Sequence, residues 1–137
     1  MRTSAQAASA TWEPDVQPIV LRPDEVAPVL HRFRVVDVRD ADEFAGDVGH
    51  IPGAELAPAH SIDQAARRWW RAEPLLVVCR TNRRAHAAAT RLLDMGFRAV
   101  HTLDGGMLAW HGAGLPVCID GHGGVCPHGT SGQRGAP

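Results

Sequence analysis

A chain of 137 residues, 45% hydrophobic and 21% charged, is long enough for one packed domain and too short for two. Its formal net charge of −1 argues against nucleic acid or an anionic membrane as the main partner. All 14 basic side chains are arginine, and three cysteines, an odd number, argue against a complete disulfide framework and for a free thiol.

Residues 1–14 are small and polar without periodicity, which predicts a flexible tail ahead of a domain over 15–117. They hold no apolar stretch that could act as a signal peptide, and the longest aliphatic run, Leu75 to Val78, is far short of a membrane span. A cytoplasmic setting is therefore expected. "PIV" at 18–20 predicts a short strand, and "RPDEVAPVL" opens a helix in which Pro23 and the early acids suit the first turn. "FRVVDV" at 33–38 is a β-branched run and predicts a buried strand. "DADEFAG" predicts a short helix stopped by Gly46, and "HIPGAELAP", punctuated by Pro52, Gly53 and Pro58, a loop with at most a short strand. Residues 61–72 predict a helix carrying Trp69 and Trp70, ended by Pro74. "LLVVC" is the clearest strand. After it Ala85, Ala88, Ala89, Leu92, Leu93 and Met95 recur at helical spacing, with Gly96 as C-cap. "RAVHTL" predicts another strand, "GGMLAWHG" a last helix, and the glycine-rich residues 118–137 a flexible tail. Alternating strands and helices mean an α/β fold, with a mostly parallel central sheet covered by helices on both faces. Ligands in such sheets bind beyond the carboxyl ends of the strands, which is where Cys79 stands.

The stretch "LLVVCRTNRRAH" ends an apolar run on a cysteine and follows it with Arg80, Arg83 and Arg84. These guanidinium groups repel one another, so an anion should gather them: the Cys79 thiolate, a bound oxyanion, or both. A strand, a tight turn and a helix N-terminus supply converging N–H groups and favour an ionised cysteine at the head of the turn. Asn82 fits a turn that needs positive φ.

"VVCRTNRRAHAAATRLLDMGFRAVHTLDGGMLAWHGAGLPV" resembles the second half of a rhodanese domain, and "VVDVRDADEFAGDVGHIPGAELAP" resembles the first half. The likeness covers about residues 18–117 and implies a rhodanese-like fold and a bacterial-type sulfurtransferase. It implies that Cys79 is the persulfide-forming residue and that Arg80, Thr81, Asn82, Arg83 and Arg84 form the substrate-binding loop. The family usually has glycine where this chain has Asn82 and often serine where it has Ala85. The resemblance also gives His50, in "GHIPGA", a loop-shaping role.

Asp37, Arg39 and Glu43 are better read as a strand-end ion pair and hydrogen bonds holding the neighbouring loop than as an acid/base group, because transfer by an existing thiolate needs no strong base. Gly105 and Gly106 are expected to permit close packing beside the active loop, Trp110 to pack the last helix on the core, and His86 to face solvent. Cys118, His122, Cys126 and His128 are four potential zinc ligands at no recognised finger spacing. Metal binding there ranks below plain disorder and below a reversible disulfide or sulfur relay, so no metal and no cofactor are expected. The expected activity takes a sulfane sulfur from a small anionic donor, thiosulfate by preference, to cyanide or a thiol, including a protein thiol. Phosphatases and arsenate reductases share the fold but place the arginine one residue further from the cysteine. Regulatory modules that only bind proteins commonly lack the cysteine.

Overall fold

β-Branched and aliphatic runs form strands β1 (Ile19–Leu21), β2 (Arg34–Asp37), β3 (Glu55–Leu56), β4 (Leu75–Val78) and β5 (Val100–Leu103). Between and after them lie helices α1 (Pro23–Val26), α2 (Ala41–Phe44), α3 (Ile62–Ala66), α4 (Arg83–Asp94) and α5 (Gly106–Gly112). The chain is described as a computed structural model over residues 17–119. The five strands make one sheet in the order β1-β5-β4-β2-β3, and every pairing is parallel.

Successive strand residues point to opposite faces. Val36, Leu75, Val77 and Val100 meet Ile62, Ala65 and Ala66 of α3 and Ala85, Ala88, Ala89 and Leu92 of α4. Val35, Leu76, Val78 and Leu103 meet Val26 of α1 and Met107 and Trp110 of α5. Both faces are therefore covered, and the fold is of the expected α/β class. Burial of each large aliphatic side chain contributes roughly 1.5–3 kcal/mol. A parallel sheet brings the ends of β1, β2, β4 and β5 to one edge, and the chain leaves β4 there at Cys79.

Three element boundaries differ from expectation. The first strand lies at Ile19–Leu21, one residue later than "PIV". The helix opening at Pro23 ends at Val26 and continues as a 3-10 turn over Ala27–Arg32, with non-helical angles at Val29. Pro28 lacks the N–H that a helix interior needs, and its ring crowds the preceding turn. The helix expected over 61–72 ends at Ala66. Arg67, Arg68 and Trp69 then donate to Gln64, Ala65 and Ala66, a tighter i−3 pattern that swings Trp69 into the core and leaves Trp70 80% exposed.

The domain also runs past the boundary expected after Val117. Cys118 is buried, its N–H donates to the His50 carbonyl at 2.7 Å, and its own carbonyl accepts the His50 N–H at 2.9 Å. It is disulfide-bonded, so it is neither a free thiol nor part of a loose tail. Residues 1–14, His122, Cys126 and His128 lie outside the described residues. None of the described helices is long and apolar enough to cross a membrane.

Candidate active site

Cys79 follows the last residue of β4 and is 1% exposed. Its side chain joins the face covered by α4, where the N–H of Ala85 donates to Sγ at 3.3 Å. That contact closes a small ring, Cys79 through Ala85, around the sulfur. A backbone amide makes this contact, so the hydroxyl missing at Ala85 is not needed for it.

The loop is shaped from behind by α5. Met107 N–H donates to the Cys79 carbonyl at 2.8 Å and Leu108 N–H to the Arg80 carbonyl at 3.1 Å. In a trans peptide the carbonyl and the next N–H point oppositely, so the N–H groups of Arg80 and Thr81 are turned away from α5. Those N–H groups and that of Asn82 donate to no protein acceptor among the described residues. Gly106 makes the approach possible: a Cβ there would lie 2.5 Å from the Cys79 carbonyl oxygen and 2.6 Å from that of Arg80, with the Thr81 carbonyl also in collision. Gly105, at φ 74°, and Gly106, at φ 59°, hold the left-handed conformation that starts α5.

Asn82 does not sit at positive φ. Its φ of −169° is extended backbone, so the expectation of a left-handed asparagine is corrected. The turn it was meant to make is instead imposed by α5 and by the two positive-φ glycines. Asn82 is the N-cap of α4, its carbonyl accepts the His86 N–H at 2.8 Å, and its side-chain Oδ1 is buried without a partner.

Asp37 and Arg39 form a buried pair at the end of β2, with Arg39 Nε to Asp37 Oδ1 at 2.9 Å and Nη2 to Oδ2 at 2.8 Å. Arg39 Nη2 also donates to the Gly49 carbonyl at 2.8 Å and so ties down the loop before His50. His50 is buried, donates from Nδ1 to the Phe44 carbonyl at 3.0 Å, and stacks on the Phe44 ring at 3.8 Å between centroids.

Glu43 is not part of that group. Its carboxylate takes Arg84 Nη1 at 2.7 Å and Nη2 at 2.9 Å, a bidentate contact between residues 41 positions apart. The hydrogen bond from Arg84, reinforced by the Asp40 N–H, holds the Glu43 carboxyl down to about 2, and the same pairing pushes Arg84 up. Arg80, Thr81 and Arg83 are exposed at the loop, and neither arginine makes an ion pair among the described residues. His86 is exposed, and Trp110 packs α5 on the core while donating from Nε1 to the Pro116 carbonyl at 2.8 Å. Sequence reasoning missed the amides of Met107 and Leu108, for which only the two glycines ahead of them give a signal, and the link from Glu43 to Arg84.

The Rhodanese-like domain family matches residues 22–113. Thiosulfate sulfurtransferase GlpE of Pseudomonas putida is 38% identical over 97 residues, 71% of this chain and 81% of that protein. A rhodanese-like domain protein of Staphylococcus aureus superposes with a TM-score of 0.63 at 30% identity, covering 73% of this chain and 98% of that one. A rhodanese-related protein of Thermoplasma volcanium has a TM-score of 0.68 at 22% identity, covering 74% and 99%, and shows likeness of fold alone.

Proposed function

The chain belongs to the rhodanese-like family and is a sulfurtransferase, and from that premise we propose that Cys79 carries the sulfur as a persulfide. The Cys79 thiolate attacks the outer sulfur of thiosulfate, the donor's S–S bond breaks, and sulfite leaves with the bonding pair. The persulfide's terminal sulfur then lies against the open amides of the loop and the start of α4, which match its negative charge. Cyanide or a thiol attacks that sulfur, forming thiocyanate or a new persulfide and returning the thiolate. No metal or cofactor enters these steps.

The observation that carries this reading is the Ala85 N–H on Cys79 Sγ, in a loop whose carbonyls are drawn off to α5. Burial of Cys79 fits a narrow donor that presents its sulfur end-on. A thiosulfate:cyanide assay beside a phosphatase assay tests the reading. Turnover in the first, lost by more than about a thousandfold in Cys79→Ser with the fold kept, is expected. Phosphate release without thiocyanate formation would contradict it. A cytoplasmic setting belongs to the same reading. Cell fractionation checks it: the protein should be recovered in the cytosolic fraction, and recovery outside it would contradict this setting.

A further inference from the structure

Glu43 has no step in the sulfur chemistry, yet the residue it holds, Arg84, adjoins the one whose N–H grips the thiol. Arg84, the second residue of α4, is held by both carboxylate oxygens at 2.7 and 2.9 Å. The next residue, Ala85, supplies the N–H to Sγ. The carboxylate is itself fixed by the Asp40 N–H at 3.1 Å, within the capping box of α2. Bidentate contacts of this kind set orientation as well as distance. Arg80 and Arg83 flank the same loop, exposed and in no ion pair among the described residues. Of the three cations next to the cysteine, one already has its counter-ion.

We infer that Glu43 decides which cations an anionic donor meets: it withdraws Arg84 from donor recognition and leaves that task to Arg80 and Arg83. Glu43 is then a positioning and specificity residue acting through Arg84. The inference rests on Cys79 being the group that meets the donor. It also changes what an arginine substitution means. Removing Arg84 alone takes away a cation and uncovers the Glu43 carboxylate, so it repels anions whether or not Arg84 reads them. The two residues have to be exchanged together.

The test uses two reagents of nearly one shape, iodoacetate and iodoacetamide, and follows alkylation of the Cys79 peptide by mass spectrometry at low salt. Both attack the same thiolate, so the ratio of their rates cancels changes in ionisation or local order and reports the field that an anion feels. Glu43→Gln should raise the iodoacetate-to-iodoacetamide ratio by about three- to tenfold, because Arg84 is then unmatched. The double variant Glu43→Gln with Arg84→Gln, which keeps a neutral hydrogen-bonding pair of similar size, should stay within about twofold of the native ratio. Arg80→Gln with Arg83→Gln should lower it by about tenfold or more. The inference is overturned if the Glu43/Arg84 double variant falls as far as the Arg80/Arg83 one, or if Glu43→Gln slows both reagents equally and leaves the ratio unchanged. The double variant also decides the matter if Glu43→Gln alone does not fold. KM for thiosulfate should follow the inverse order of the ratios. Native protein that turns over no thiosulfate would defeat the sulfurtransferase reading, while the alkylation ratio would still decide the role of Glu43.

Discussion

The two edges of the sheet carry similar residues and do different things with them. At the amino edge Arg34 lies between Glu55, at 2.8 Å, and Glu73, at 2.9 Å, and Arg68 also pairs with Glu55. Those arginines, with Trp70, Ala72, Glu73 and Pro74, line a hollow of about 630 Å³. At the carboxyl edge Asp37 holds Arg39 and Glu43 holds Arg84, but among the described residues Arg80 and Arg83 are unmatched and the N–H groups of Arg80, Thr81 and Asn82 donate to no acceptor. The amino edge has an open hollow whose arginines, Arg34 and Arg68, are held by Glu55 and Glu73. The carboxyl edge has a buried thiol with a donor on it and, beside it, two exposed arginines in no ion pair among the described residues. A buried thiol beside amides that donate to no acceptor among the described residues is what the proposed chemistry uses at this end of the sheet.

The sharpest way to break that contrast is to remove one partner of an ion pair at each edge. Asp37→Asn leaves Arg39 buried, 2% exposed, without its counter-charge, and should destabilise the fold by about 3–5 kcal/mol in denaturant unfolding. Glu73→Gln at the amino edge removes a half-exposed partner, and its cost should be under about 1 kcal/mol. Equal losses would mean that burial does not separate the two edges. Gly106→Ala comes next. Its Cβ would meet the Cys79 and Arg80 carbonyls at 2.5 and 2.6 Å, at a φ of 59°. Strain and overpacking should take about 1–3 kcal/mol from stability and reduce turnover with it, measured by melting and by the cyanide assay.

A smaller effect comes from acid. The Glu43 carboxyl is depressed from 4.5 to about 2, first by its hydrogen bonds with Arg84. A carboxyl depressed in the folded state stabilises fully above its unfolded value, and that contribution is lost as the pH falls from 4.5 towards about 2. Native protein should therefore lose its advantage in Tm over Glu43→Gln across that window and keep it above about pH 5. Partial exposure limits the difference to about 1 kcal/mol. Two substitutions should do least. Trp70→Ala at the amino edge should leave turnover unchanged and stability within about 0.5 kcal/mol. Asn82→Val should cost no backbone strain, because its φ of −169° is open to any residue. A folded but inactive valine variant would move the weight onto the buried Asn82 Oδ1.

Local chemistry was legible in the chain and distant pairing was not. Cys79, its arginines and the close approach at Gly105 and Gly106 could be read because strand end, loop and helix start are contiguous, and glycine pairs announce tight contact. The alternation of strands and helices gave the sheet because each buried strand is a short β-branched or aliphatic run. Asn82 misled because asparagine's tolerance of positive φ says what it can do, while α5, more than twenty residues on, decides what the turn requires. The helix at Ile62 ended early because Trp69 gains more from the core, beside Phe97 at 6.3 Å, than from another helical turn. Nothing near Glu43 in sequence points to Arg84; a contact across 41 positions is made by the fold. Cys118 looked like tail because glycine follows it, whereas its backbone pairs with His50.

The central claim is that Cys79 itself carries the sulfur. Native protein exposed to thiosulfate without reductant, then digested and weighed by mass spectrometry, should show a gain of one sulfur atom on the Cys79 peptide, and cyanide should remove it. Sulfur found only on a peptide other than that of Cys79, or turnover with no sulfur bound to the protein, would contradict the account.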